Sequence, residues 1–145
     1  MLLLAQQNKV LGQLCQSILD SQREICFVGI TNEKGNVLES KERDSTIGHL
    51  QKTRYEMFFM EFALQHRMNS EFDGELGSVW YTLVQREKET FFSFPLYNLQ
   101  ILVVAKSSVK PASISKNIIA IIDKYSGKFD EANCKEELEI HQVFS

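Results

Sequence analysis

Between His49 and Asp73 the chain runs for 25 residues without a glycine or a proline. At about 1.5 Å per residue, some 20 helical residues span roughly 30 Å, the width of a small domain. One helix of this length sets the size of anything it packs on. Its apolar residues are Leu50, Tyr55, Met57, Phe58, Phe59, Met60, Phe62, Ala63, Leu64, Met68 and Phe72. At about 100° per residue, Met57 to Met60 alone point around almost the whole circumference, and a helix apolar all round is buried all round. A sheet covers one side of such a helix, so another element or another chain must cover the opposite side.

The flanking sequence supplies that sheet. Ile25 to Thr31 is a short apolar run, and Glu33-Lys34-Gly35-Asn36 carries the turn residues that tolerate a left-handed backbone. Val37-Leu38 resumes the apolar pattern, giving a hairpin whose second strand extends to about Ser40. After the long helix, Val79 to Val84 and Thr90 to Phe94 read as strands on β-branched and aromatic content. Leu99 to Ala105 is apolar throughout except for Gln100, the pattern of a central strand covered on both faces.

Two further helices close the ends. Val10, Leu11, Leu14, Cys15, Ile18 and Leu19 form one stripe between Gln6 and about Arg23. Beyond Pro111, Ser113 is a candidate N-cap for a helix carrying Ile114, Ile118, Ile119, Ile121, Ile122 and Tyr125, with Gly127 as its expected stop. The order α-β-β-α-β-β-β-α, with short links in the second β block, predicts an α+β layer fold. In it a five-stranded antiparallel sheet carries the long helix on one face and the terminal helices on the other. The domain is expected at 1–127, with 128–145 as a charged C-terminal tail.

Composition narrows the function. A net charge of −3 argues against general binding to nucleic acid or to an anionic membrane surface. Three widely spaced cysteines, Cys15, Cys26 and Cys134, form neither a disulfide framework nor a zinc motif. The short apolar start, Met1 to Ala5, lacks the length and basic flank of a signal peptide, and no stretch approaches a membrane span. A cytoplasmic location is expected. There is no phosphate-binding glycine loop and no G-x-S-x-G elbow. His49, His66 and His141 are never in metal-ligand spacing, and the carboxylates alternate with bases as solvated faces do. The sequence therefore predicts no enzyme, no cofactor and no metal.

Three stretches resemble the roadblock family, a profilin-like fold of dynein-associated and small-GTPase-associated proteins. They are the hairpin Val28-Gly29-Ile30-Thr31-Asn32-Glu33-Lys34-Gly35-Asn36-Val37-Leu38, the long helix after it, and the meander ending in Leu99-Gln100-Ile101-Leu102-Val103-Val104. Met57-Phe58-Phe59-Met60-Glu61-Phe62-Ala63-Leu64 and Phe92-Ser93-Phe94-Pro95-Leu96 also look like an uncharacterised group of single-domain archaeal proteins. Together these cover about residues 6–127.

The resemblance implies a homodimer formed by the long helix and the adjacent strand edge, and a scaffold for a small GTPase or another scaffold protein. The apolar girdle independently supports self-association, because Met and aromatic residues are enriched at interfaces. The expected dimer residues are Tyr55, Met57, Phe58, Phe59, Phe62, Leu64, Val79 and Tyr81. The basic residues Lys41, Arg43, Lys52 and Arg54 are the expected partner contacts. The alternative is a small-molecule sensor of PAS-like type, with Trp80-Tyr81 and Phe91-Phe92-Ser93-Phe94 lining a pocket.

Overall fold

The computed structural model describes the backbone of residues 2–43 and 52–144, and the side chains of residues 8–43 and 54–127. Its elements are α1 (Leu2–Ser21), β1 (Ile25–Thr31), β2 (Val37–Glu42), α2 (Lys52–Ser70), α3 (Asp73–Leu76), β3 (Thr82–Gln85), β4 (Glu89–Leu96), β5 (Leu99–Lys106) and α4 (Pro111–Phe144). The strands form one sheet in the order β2-β1-β5-β4-β3. Every neighbouring pair is antiparallel. β5 is the middle strand, as its unbroken apolar run predicts, and it is buried along all but its last residue.

Side-chain alternation divides the sheet into two chemically different faces. Val28, Ile30, Phe92, Phe94, Ile101 and Val103 meet Leu14, Ile18, Ile114 and Ile118 from α1 and α4. Phe27, Phe91, Leu102 and Val104 meet Tyr55, Phe59 and Phe62 from α2. The long helix thus takes one face and the terminal helices the other. A register shift between Ile25 and Phe27 lets Ile25 join the α1–α4 side. A hydrogen bond of 2.7 Å between Ser17 Oγ and Tyr125 OH ties the two terminal helices together.

Two glycines make the α2 layer possible. A Cβ on Gly29 would lie 2.8 Å from the Phe27 ring, which stacks on Phe59 at 5.6 Å and 9°. The absent side chain leaves room for that ring. Gly35 has φ +85°, and a Cβ there would lie 2.7 Å from Met60 Cα. The β1–β2 turn therefore needs glycine both for its backbone and for its approach to α2.

Several expectations change. Ser113 is not the N-cap of the last helix, which begins at Pro111 and holds Ser113 in its first turn. Gly127 does not stop the last helix, since α4 continues to Phe144. A single glycine inside a helix costs only about 1 kcal/mol, which the turns on either side can absorb. The strand expected from Val79 begins only at Thr82. β3 pairs Thr82 with Ser93, so extending the ladder would bring Trp80 opposite Pro95, which has no N–H to donate. The long helix ends at Ser70, and a separate turn of helix, α3, follows before Gly77, whose φ of 83° turns the chain toward β3.

Candidate functional site

The long helix presents two opposed apolar stripes. Tyr55, Phe59, Phe62 and Ala63 are buried against the sheet. Met57, Met60, Leu64 and Met68 are 62%, 54%, 55% and 60% exposed. At about 100° per residue these four fall on the side of the helix away from the sheet. Phe58 lies between the stripes, packed on Phe91 at 4.6 Å, with the Arg86 guanidinium 5.5 Å above its ring. The exposed series continues along the chain through Phe72, Leu76 and Trp80, the last two 81% and 80% exposed. On α2 the four outer residues share one helix face, and an exposed apolar patch of that kind is a candidate interaction surface.

The strand beside this segment is an open edge. β3 is the last strand of the sheet, and its four residues Thr82-Leu83-Val84-Gln85 carry no charge. Such an edge presents unpaired backbone N–H and C=O groups, a template for another strand. At the opposite edge, β2 carries Glu39, Lys41 and Glu42 and packs against α1.

The structure divides the expected dimer residues. Met57 and Leu64 lie on the outer stripe, whereas Tyr55, Phe59 and Phe62 face the sheet and Phe58 is half-buried. Val79 and Tyr81 precede β3, and the Tyr81 ring stacks 5.8 Å from Phe94, on the face that carries α1 and α4. Sequence reasoning included Met60 and Met68 in the girdle without assigning them to the surface. Their spacing with Met57 and Leu64, in steps of three and four, was the signal.

The four basic residues do not form one patch. Arg43 is structural: its guanidinium donates to the carbonyls of Ile25 at 3.1 Å, Gln22 at 3.2 Å and Leu19, closing the connection between α1 and β1. Lys41 lies near enough to Cys15 for its charge to oppose the upward push on that thiol, which places it toward α1. Arg54 is exposed on α2, across the sheet. Lys52 begins α2, and its side chain lies outside the described residues.

The described residues hold no group of three or more His, Cys, Asp or Glu able to bind a metal ion. No helix among them is long and apolar enough to cross a membrane. Burial, reinforced by Glu39, pushes the Cys15 thiol up to about 12, and burial likewise raises Cys26. Neither is a thiolate nucleophile at neutral pH. The aromatic pocket expected of a sensor does not form: Phe92 and Phe94 are core residues, Phe91 packs on the opposite face, and Trp80 is exposed.

A cavity of about 550 Å³ opens elsewhere, between the C-terminal half of α2, the β1–β2 turn and the β4–β5 turn. Arg67, Glu71, Glu33, Asn98 and Gln100 contribute polar groups to it, and Ala63, Leu64 and Met68 contribute apolar surface. Gln100 is its one sequence signal, as the single polar residue in the otherwise apolar run from Leu99 to Ala105.

Comparison with known proteins agrees with this architecture. The family model described as "Family of unknown function (DUF6659)" matches residues 8–137. Among solved structures, the chain is similar to the roadblock/LC7 domain from Streptomyces avermitilis, at 10% identity, 79% of this chain, 95% of that chain and TM-score 0.59. It is also similar to the gliding protein MglB from Thermus thermophilus, at 11% identity, 84% of this chain, 92% of that chain and TM-score 0.64. An MglB with tetrameric arrangement matches at 14% identity, 88% of this chain, 93% of that chain and TM-score 0.68. The fold is therefore of roadblock type. No curated protein matches the chain.

Proposed function

We propose that this chain, which belongs to the DUF6659 family, is a non-catalytic scaffold that works as a symmetric homodimer in the cytoplasm. The observation that carries this reading is the outer stripe of α2, Met57, Met60, Leu64 and Met68, which a monomer leaves in water. A self-complementary patch on one small domain closes most simply as a two-fold pair. The uncharged β3 edge supports the same arrangement, because a second β3 would satisfy its backbone groups. One structural neighbour is an MglB with tetrameric arrangement, which supports assembly as the mode of action.

The partner class follows from the roadblock resemblance: a small GTPase, or another scaffold protein, docked on the dimer. With Arg43 engaged in the fold and Lys41 on the α1 side of the sheet, the proposed contacts are Lys52 and Arg54. Tyr55, Phe59 and Phe62 serve the dimer indirectly, by holding α2 on the sheet.

Analytical ultracentrifugation tests the assembly. Wild type should sediment as two chains at micromolar concentration, and Leu64→Asp as one chain with unchanged circular dichroism. A wild type that remains a single chain at high micromolar concentration removes the proposal. Charge reversal at Lys52 and Arg54 should leave the mass unchanged and weaken capture of the partner. Unchanged capture removes that patch.

A further inference from the structure

Beyond self-association, the cavity beside α2 has features that fold and assembly do not require. Gln100 is 4% exposed, and its Oε1 has no hydrogen-bond partner. Its cross-strand neighbour Thr31 is fully buried, and its Oγ1 is likewise without one. Leaving a buried acceptor unpaired is destabilising, because its hydration is lost and nothing replaces it. An apolar residue at position 100 would avoid that cost, and the rest of the strand from Leu99 to Ala105 is apolar. The cavity wall also includes Tyr97, whose φ of 56° is what the two-residue β4–β5 hairpin between Leu96 and Leu99 requires.

We propose that this cavity binds a small zwitterion with the chemistry of an α-amino acid bearing an apolar side chain. The charges on its wall select that class. Arg67 offers a planar guanidinium suited to bidentate contact with a carboxylate. Glu33 and Glu71 bring two negative charges, which an ammonium group answers and a phosphate-rich ligand does not. Ala63 supplies buried apolar surface for the side chain, and Leu64 and Met68, which also belong to the outer stripe of α2, border it where the cavity meets that stripe. The Gln100 amide accepts an N–H from the ligand, since the terminal torsion of glutamine is broad and roughly two-fold and lets either end turn to the cavity. A volume of about 550 Å³ admits such a ligand with water to spare.

The test titrates the purified wild-type chain with L-valine, L-leucine, L-methionine and L-phenylalanine, followed by calorimetry and by amide resonances. Saturable binding of at least one, with shifts concentrated at 63–71 and 97–100, is the expected result. The matching N-acetyl amides, which lack both charges, should not bind. Arg67→Ala, at an exposed position, should weaken binding about tenfold or more through loss of a charge-assisted pair. Gln100→Met should also abolish binding while raising the melting temperature of the free protein, because it removes an unpaired acceptor. The proposal is overturned if none of the four amino acids binds at millimolar concentration. It is equally overturned if the uncharged amides bind as well, or if both variants bind like wild type.

Discussion

The two faces of the sheet are built differently. The α1–α4 face is mostly aliphatic and is closed by two helices. The α2 face is aromatic, with Phe27, Tyr55, Phe59, Phe62 and Phe91 at its centre, and a single helix covers it. A single helix, about 10 Å across, leaves its own outer side to solvent. On α1 the outward positions are polar: Gln13, Gln16 and Asp20. On α2 they include Met57, Met60, Leu64 and Met68. One face has finished its burial within the chain, and the other invites a further layer. The sheet edges repeat the contrast, with a charged, α1-backed β2 beside the finished face and an uncharged β3 at the open end.

Four measurements break or sharpen this contrast. The largest effect belongs to the finished face: Phe92→Ala, at a fully buried ring, should cost about 3–5 kcal/mol in urea unfolding. An equal loss from Phe58→Ala, whose ring is half-buried on the α2 side, would mean that the two faces do not differ as described. Next comes Arg43→Ala, which removes a guanidinium from three carbonyls at the α1–β1 connection and should cost about 1.5–3 kcal/mol. Hydrogen exchange should then accelerate in α1 before α2.

A smaller loss is set by pH. The Cys15 thiol moves from 9.0 to about 12 on folding, so above 9.0 the unfolded chain releases a proton that the folded chain keeps. Stability is complete below 9.0 and declines as pH rises toward about 12. The loss should reach roughly 1 kcal/mol near pH 10, and Cys15→Ala should flatten the slope. An unaltered slope in that variant assigns the alkaline loss to other groups. The smallest effect on the fold should come from Met60→Lys on the open face. It should change the stability of the dilute single chain by no more than about 0.5 kcal/mol. It should nevertheless abolish association in ultracentrifugation, and retained association would detach the outer stripe from the assembly.

Much of the fold was legible because periodicity survives in the sequence. The stripe Leu11, Leu14, Cys15, Ile18 reads as a one-sided helix and is one. Leu99 to Ala105 reads as a doubly covered strand and is the centre of the sheet. Boundaries were less legible where pairing decides them, as at Val79 to Tyr81, whose strand propensity is high but whose middle residue, Trp80, would face Pro95. Gly127 looked like a stop because glycine is a common helix end, yet α4 passes through it. The cavity drew no attention in sequence because its parts, Glu33, Arg67 and Gln100, lie in three distant segments.

The sequence by itself determined that α2 is apolar on two sides, because composition and the helical repeat are enough to place residues around a cylinder. It also determined the order of the elements, short α3 excepted, and the central strand, both consequences of local pattern. Only the tertiary structure decided which stripe of α2 meets the sheet, giving Phe59 and Phe62 to the core and Met60 and Leu64 to solvent. It likewise turned Arg43 from a surface cation into a clamp on three carbonyls. The physical reason is common to both. A helical pattern fixes angles within one element, whereas the choice of face and the partners of a long side chain depend on shapes and carbonyls supplied by segments far away in the chain.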